Sequence, residues 1–244
     1  MPPNTPWGVA LMTIEQRARA IPGQTPGRAK LVDEVARVLR QRIYGGIYSP
    51  GELLRQVRLS QDLNVSRTPL REALRLLQSE GLVAAEGARG VSVTRADRAR
   101  LLNAYAMREM LDGLAARQAA EKAAHRAHEV LNPLLEQHMR TLSPWSPVDY
   151  VRCNVDFHTA IIDLAENEFL SAQTPLVRLT SSVFAPAILV SSQRAQPALE
   201  EHRRVIEAIA SGDGDEAERV SRLHIRETID CLRADPQLGR AAGP

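Results

Sequence analysis

Apolar residues recur at helical spacing along most of this chain, and the departures from that spacing mark its organisation. From Ser66 onward, Leu70, Leu74 and Leu77 fall on one face of a helix while Arg67, Arg71 and Arg75 step along the opposite face at intervals of four. Pro69 suits the first turn, where a missing backbone donor costs little, and Ser66 or Thr68 can cap the free amides there. Residues 59–63 read as a short helix just upstream, leaving only Asn64 and Val65 for a tight turn. An earlier helix over about residues 29–44 buries Leu31, Val35, Val38 and Leu39 with Ala36, and Gly45 and Gly46 end it. After Glu80 the period changes. Gly81 stops the helix, and residues 82–94 predict two short strands around a turn at 87–90, with Arg89 beside Gly90 at its tip. Three helices and a hairpin in this order predict a winged helix-turn-helix.

Beyond residue 96 the pattern is helical almost throughout. Leu101, Leu102, Tyr105, Met107, Leu111 and Ala115 open a long helix, and further runs centre on residues 127–142, 148–165, 169–190, 197–210 and 216–232. The fold class is therefore mainly α: an N-terminal winged helix-turn-helix followed by a C-terminal all-helical bundle. The expected division is a flexible extension over 1–27 with five prolines, a DNA-binding domain over 28–95, a helical domain over 96–235 and a flexible tail over 236–244.

Charge sharpens this division. Residues 1–95 carry 14 Lys and Arg against 8 Asp and Glu, whereas residues 96–244 carry 17 against 21. Excess cation on the half that holds the arginine stripe is what phosphate neutralisation requires. The acidic half argues against a second nucleic-acid surface. No apolar stretch can span a bilayer, residues 7–12 are too short for a signal-peptide core, and only Cys153 and Cys231 occur, outside any paired motif. A reducing cytoplasm and two buried, inert thiols are the expectation.

All six histidines lie in the helical half. Asn154 and His158, four apart, project from one face of one helix. His202 and His224 stand eleven residues to either side of Asp213, within a turn over residues 211–215 in which Gly212 is the stop and Asp213 or Asp215 the cap. Two helices folded antiparallel about that turn bring the two histidines level, and a neighbouring helix presenting Asn154 and His158 completes a four-ligand set for a divalent metal such as zinc, nickel or manganese. A lone histidine is more often a satisfied core or surface residue, but three in register reverse that weighting. His125, His128 and His138 lack the register and are expected at the surface. Arg108, one turn before Asp112, is either half of a surface ion pair or a buried guanidinium that grips a carboxylate ligand with two parallel hydrogen bonds.

Residues 35–94, with YSPGELL, LSQDLNVSRTPLREALRLLQSEGLV and ARGVSV, resemble the DNA-binding domain of the GntR family of bacterial transcription regulators. The resemblance implies that Arg67 and Arg71 contact operator bases and phosphates and that Gly90 lies close to the DNA. Gln56, Val57 and Arg58 occupy a stretch where members often have an acidic residue. The helical half is similar to the FCD type of effector domain through MREMLDGLAARQAA, NVDFHTAIIDLAENEFL and EHRRVIEAIASGDGDEAERVSRLH. That likeness implies metal ligands at Asn154, His158, His202 and His224, the first of these an acidic residue or an asparagine among members. It also implies an Arg108 that faces the ligand cavity.

The resulting expectation is a homodimer on a palindromic operator, because one recognition helix reads too few base pairs, with a small organic acid as effector bridging the metal and Arg108. A structural metal ranks second. A metal-dependent hydrolase ranks a distant third, since no carboxylate is placed as general base and the nearest zinc-protease likeness, His128-Glu129, has Asn132 where a second histidine belongs.

Overall fold

The computed structural model describes residues 28–87, 90–184 and 192–234. The expected extension over 1–27, the tail over 236–244, the wing-tip residue Arg89 and the last part of the run 169–190 lie outside them. The chain divides into two compact units, residues 1–94 and 95–244.

In the first unit, α1 (Arg28–Tyr44) packs Val35, Ala36 and Leu39 against α3 (Arg67–Ser79), whose Leu70, Ala73, Leu74 and Leu77 are buried. Leu31 and Val38 are only half-buried, and Val32 and Ile43 complete the stripe instead. Arg40 of α1 donates two hydrogen bonds of 2.7 Å to Glu80 at the end of α3, which fixes the angle between the helices. Between them α2 (Gln56–Asp62) sets Leu59 into the same core. It leaves through Asn64, whose φ of 51° is one that asparagine tolerates better than most residues. Ser66 occupies the N-cap of α3, yet its hydroxyl makes no capping bond; its extended backbone alone starts the helix.

The wing has three strands rather than the two expected. β2 (Val83–Ala85) and β3 (Val91–Val93) form the hairpin, and β1 (Leu53–Leu54) pairs with the other edge of β3, giving the order β1-β3-β2. Two residues are too short a run for a period-two signal.

In the second unit, α4 (Arg98–Ala123) starts at Asp97, whose carboxylate accepts from the Arg100 amide at 2.7 Å. It packs along α10 (Gly214–Ala234), and Ser221 of α10 donates to the Asp112 carbonyl at 3.0 Å. Gly113 permits this approach, because a β-carbon there would lie 2.5 Å from Arg222 Cγ. Around this pair stand α5 (Ala127–Arg140), α6 (Pro147–Leu164) and α9 (Ser192–Ala210), with a core that runs through Leu131, Phe157, Ile162 and Ile206.

The run 169–190 is not one helix. It breaks into α7 (Glu168–Ser171), α8 (Thr174–Arg178) and a π-helical turn over Leu179–Phe184. Pro175 opens α8 and the wider turn follows it, so apolar spacing alone overstates its continuity. Met107, expected in the α4 stripe, is 56% exposed; the buried face runs Leu101, Tyr105, Arg108, Asp112, Ala115 and Ala119. Cys153 is buried and Cys231 exposed, which corrects the expectation of two buried thiols. No helix among the described residues is long and apolar enough to cross a membrane.

Candidate metal centre and nucleic-acid interface

Three imidazoles converge in the interior of the helical unit. His158 comes from α6, His202 from α9 and His224 from α10, all buried, with one ring nitrogen of each within 4.8 Å of the others. The Nε2 atoms of His202 and His224 are 3.3 Å apart. Two nitrogens bound to one tetrahedral ion, each at about 2.0–2.1 Å, stand roughly 3.4 Å apart, so the separation fits a shared cation.

The other nitrogen of two of these rings is held by a carboxylate. His158 Nδ1 is 2.7 Å from Asp112 Oδ1, and His224 Nδ1 is 2.7 Å from Glu201 Oε2. With the proton placed on Nδ1 facing each acid, Nε2 is left as a lone-pair donor toward the centre, the arrangement that orients metal-binding histidines. His202 has no such acid; its Nδ1 lacks a hydrogen-bond partner among the described residues, and its ring stacks on Phe157 at 4.1 Å. With no acid on Nδ1, stacking on Phe157 and the contact with His224 hold that ring.

Each carboxylate is in turn clamped by an arginine. Arg108 donates through Nε at 2.6 Å and Nη2 at 2.9 Å to Asp112, and Arg194 donates at 2.6 and 2.8 Å to Glu201. Burial would raise both acids. The Arg108 charge beside Asp112, helped by His158, outweighs this and holds its carboxyl well below the usual range. Hydrogen bonds from His224 and Arg194 hold Glu201 at about 2. Burial lowers His158 to about 4 despite Asp112, and burial with the neighbouring imidazoles holds His202 well below the ordinary histidine range, so both imidazoles are neutral and able to donate.

A cavity opens beside the triad, with about 40 Å³ available to the centres of water-sized atoms. Asn154, Arg108, Arg194, Ser181, Tyr105 and Tyr150 are among the side chains that line it. Asn154 is half-buried and donates to Ser181 Oγ at 3.4 Å, which turns its carbonyl oxygen away from that hydroxyl. Arg108 also reaches the π-helical turn, through Nη1 to Thr180 Oγ1 at 3.1 Å and Ser181 Oγ at 3.4 Å.

These positions decide one alternative and correct one expectation. Arg108 is 1% exposed, so it is no surface pair, yet its two-pronged grip is spent on Asp112 rather than left open to a ligand. His138 is fully buried, not at the surface: it follows Leu131 and Leu135 on the inner stripe of α5, with its ring 4.3 Å from that of Tyr150. His125 and His128 are exposed. Sequence reasoning also missed Glu201 and Arg194. The one available signal was Glu201 adjoining His202, which gives little warning of a partner on α10.

In the first unit, Arg67, Arg71 and Arg75 are all exposed on α3, together with Ser66 and Thr68 at its start. Gly90 takes φ 113° at the entry to β3, a conformation that a side chain would strain.

A basic recognition-type helix in a winged fold, followed by an all-helical unit with an internal polar centre, is the build of a DNA-binding regulator. Residues 31–93 match the bacterial regulatory proteins of the gntR family, and residues 103–227 match the FCD domain. The HTH-type transcriptional regulator YdhC of Bacillus subtilis (strain 168) is 27% identical over 198 residues, covering 80% of this chain and 88% of that protein. The Nta operon transcriptional regulator of Aminobacter aminovorans is 28% identical over 183 residues, covering 75% and 85%. The HTH-type transcriptional repressor RspR of Escherichia coli (strain K12) is 26% identical over 209 residues, covering 82% and 88%. Among solved structures, a GntR regulator from Rhodococcus sp. RHA1 superposes with a TM-score of 0.72 at 21% identity over 84% of this chain and 98% of that one. Escherichia coli McbR/YncC superposes with 0.71 at 20% identity over 83% and 96%. At such identities these two structures establish the fold alone.

The chain belongs to the GntR family of bacterial transcription regulators, in the branch with an FCD domain. It is a DNA-binding transcription regulator and not an enzyme.

Proposed function

We propose that this regulator binds a palindromic operator as a homodimer and that a divalent metal with a small carboxylate effector, held in the helical domain, modulates that binding. The observation that carries the sensing half is the convergence of His158, His202 and His224, two of them oriented by buried carboxylates. Asn154, on the cavity wall, is the fourth ligand. Three imidazoles and one carbonyl oxygen suit zinc, nickel or manganese. When bound, the metal supplies a fixed positive charge that attracts a carboxylate.

The protein's own residues do the rest. Asp112 and Glu201 hold two imidazoles in one tautomer, Phe157 fixes the third, and the two arginines keep both acids ionised. Arg108 contributes charge to the cavity wall instead of a two-pronged grip. A cavity beside the triad favours a ligand-sensing metal over one that only pins helices together. On DNA, Arg67, Arg71 and Arg75 read or neutralise the operator with help from Ser66 and Thr68, and Arg89 and Gly90 of the wing approach the backbone.

The test is elemental analysis of protein purified without chelator, paired with an operator gel shift of metal-loaded and stripped protein. About one metal per chain in the wild type, and a sharp fall in a His202→Ala variant, is the expected result. Equal metal content in the two proteins removes the site, and absence of any duplex binding by the loaded dimer removes the operator.

A further inference from the structure

The charges around the cavity point to a narrower class of ligand. Among the described side chains that line it, Arg108 and Arg194 are, besides the histidines, the charged ones, and each is matched by one carboxylate, Asp112 at 2.6 and 2.9 Å and Glu201 at 2.6 and 2.8 Å. The two pairs cancel. Residues 185–193, between the π-helical turn and Arg194, include no charged side chain to alter that balance. The candidate ligand set is neutral as well, three imidazoles and the Asn154 amide. A divalent cation placed there keeps both of its charges in surroundings from which most water is excluded, an unfavourable state unless an anion accompanies it. A singly charged acid leaves one positive charge uncompensated, and a doubly charged one leaves none.

From this, and resting on the metal reading above, we propose that the ligand of the helical domain is a small dicarboxylate whose second negative charge replaces the one that Asn154 lacks. Size sets the other bound. With only about 40 Å³ open to the centres of water-sized atoms, the cavity suits a small acid better than a nucleotide. The walls offer matching donors. Tyr105, Tyr150, Ser181 and Thr228 present hydroxyls, and the two guanidiniums place positive potential on the cavity wall, so a second carboxylate meets polar surface and not hydrocarbon. A preference between dianion and monoanion therefore depends on residue 154: an acidic side chain there would supply the missing charge from the protein and make a monoanion sufficient.

The experiment is a calorimetric titration of the zinc-loaded full chain with malonate and with malonamate, its nearly isosteric monoamide, near neutral pH. Wild type is expected to bind malonate at least about tenfold more tightly, and Asn154→Asp to bring the ratio below about threefold. Equal binding of the two compounds by loaded wild type overturns the proposal, as does an Asn154→Asp variant that is folded, loaded and still fully selective. Should that variant melt, the wild-type ratio decides alone. Metal content measured on the same samples separates the two layers: absence of metal overturns the metal reading and this inference together, whereas a loaded protein without dianion preference overturns this inference only.

Discussion

The Asp112 carboxylate lies 2.7 Å from Nδ1 of His158, and that contact decides which imidazole nitrogen is left to face the cavity. The same carboxylate takes two hydrogen bonds from Arg108, so one buried acid joins the candidate metal centre to a guanidinium on the cavity wall. Glu201 repeats the device between His224 and Arg194. Two carboxylates, two arginines and two histidines thus form parallel relays, and both can be cut without touching a metal ligand.

The Glu201 relay is the better one to cut, because Glu201 is less buried than Asp112, at 7% against 4% exposed. Glu201→Gln keeps the side-chain volume and an acceptor for His224 Nδ1 but removes the charge that strengthens the imidazole as a donor. Metal affinity is expected to fall about 10- to 100-fold with little loss of fold. Competition with a chromophoric chelator measures it, and an unchanged affinity would make Glu201 a purely structural partner of Arg194.

Removing Arg108 has a different consequence. Arg108→Ala leaves Asp112 ionised and buried without its main partner, which is expected to destabilise the protein by about 3–5 kcal/mol. Urea unfolding of the helical domain in the full chain reads this. Asp112→Asn combined with Arg108→Ala is expected to recover part of the loss, since the stranded charge is then gone; equal destabilisation in single and double variants would argue against a coupled pair.

Operator binding tests the other domain. Arg71 is exposed at the centre of the stripe formed with Arg67 and Arg75, and Arg71→Ala is expected to lose about 1–3 kcal/mol of sequence-specific affinity. Affinity for unrelated duplex should change much less. A gel shift at fixed salt on operator and scrambled DNA measures both, and an equal drop on the two would make Arg71 a phosphate contact.

His138 gives a pH signature. Burial pushes its pKa down to about 3, so the folded state binds fewer protons there than the unfolded state, whose value is about 6.5. The stability this contributes is complete above about pH 6.5 and is lost progressively as pH falls toward 3. His138→Phe removes the titration, and the variant is expected to gain on wild type in thermal stability as pH is lowered from 7 to 5, both measured free of metal. A constant gap between the two melting curves would show that His138 does not contribute to the acid response.

Much of this architecture can be read from single helices. Arg67, Arg71 and Arg75 lie opposite Leu70, Leu74 and Leu77 because four-residue spacing fixes a face wherever a helix forms, and no partner is needed to see it. His202 and His224 can be paired because two helices joined by a short turn must run antiparallel, and they do meet, at 3.3 Å. Even the burial of Arg108 and Asp112 is present in the pattern, on the stripe of Leu101, Tyr105 and Ala115, although a charged pair four residues apart reads more readily as surface.

What lay beyond the sequence depends on contacts between segments remote in the chain. The pairing of Leu53 and Leu54 with β3, the approach of Asp112 to His158 across α4 and α6, and the choice of Glu201 as the acid for His224 join elements whose separation carries no periodic signal. Nor could periodicity show that the Arg108 fork is taken by Asp112, because the same residue on the same face serves a ligand or a neighbour equally well until packing places the neighbour first. Local spacing determined which side chains turn inward; only the packed bundle, by excluding water and forcing every buried charge to find a partner, decided which of them meet.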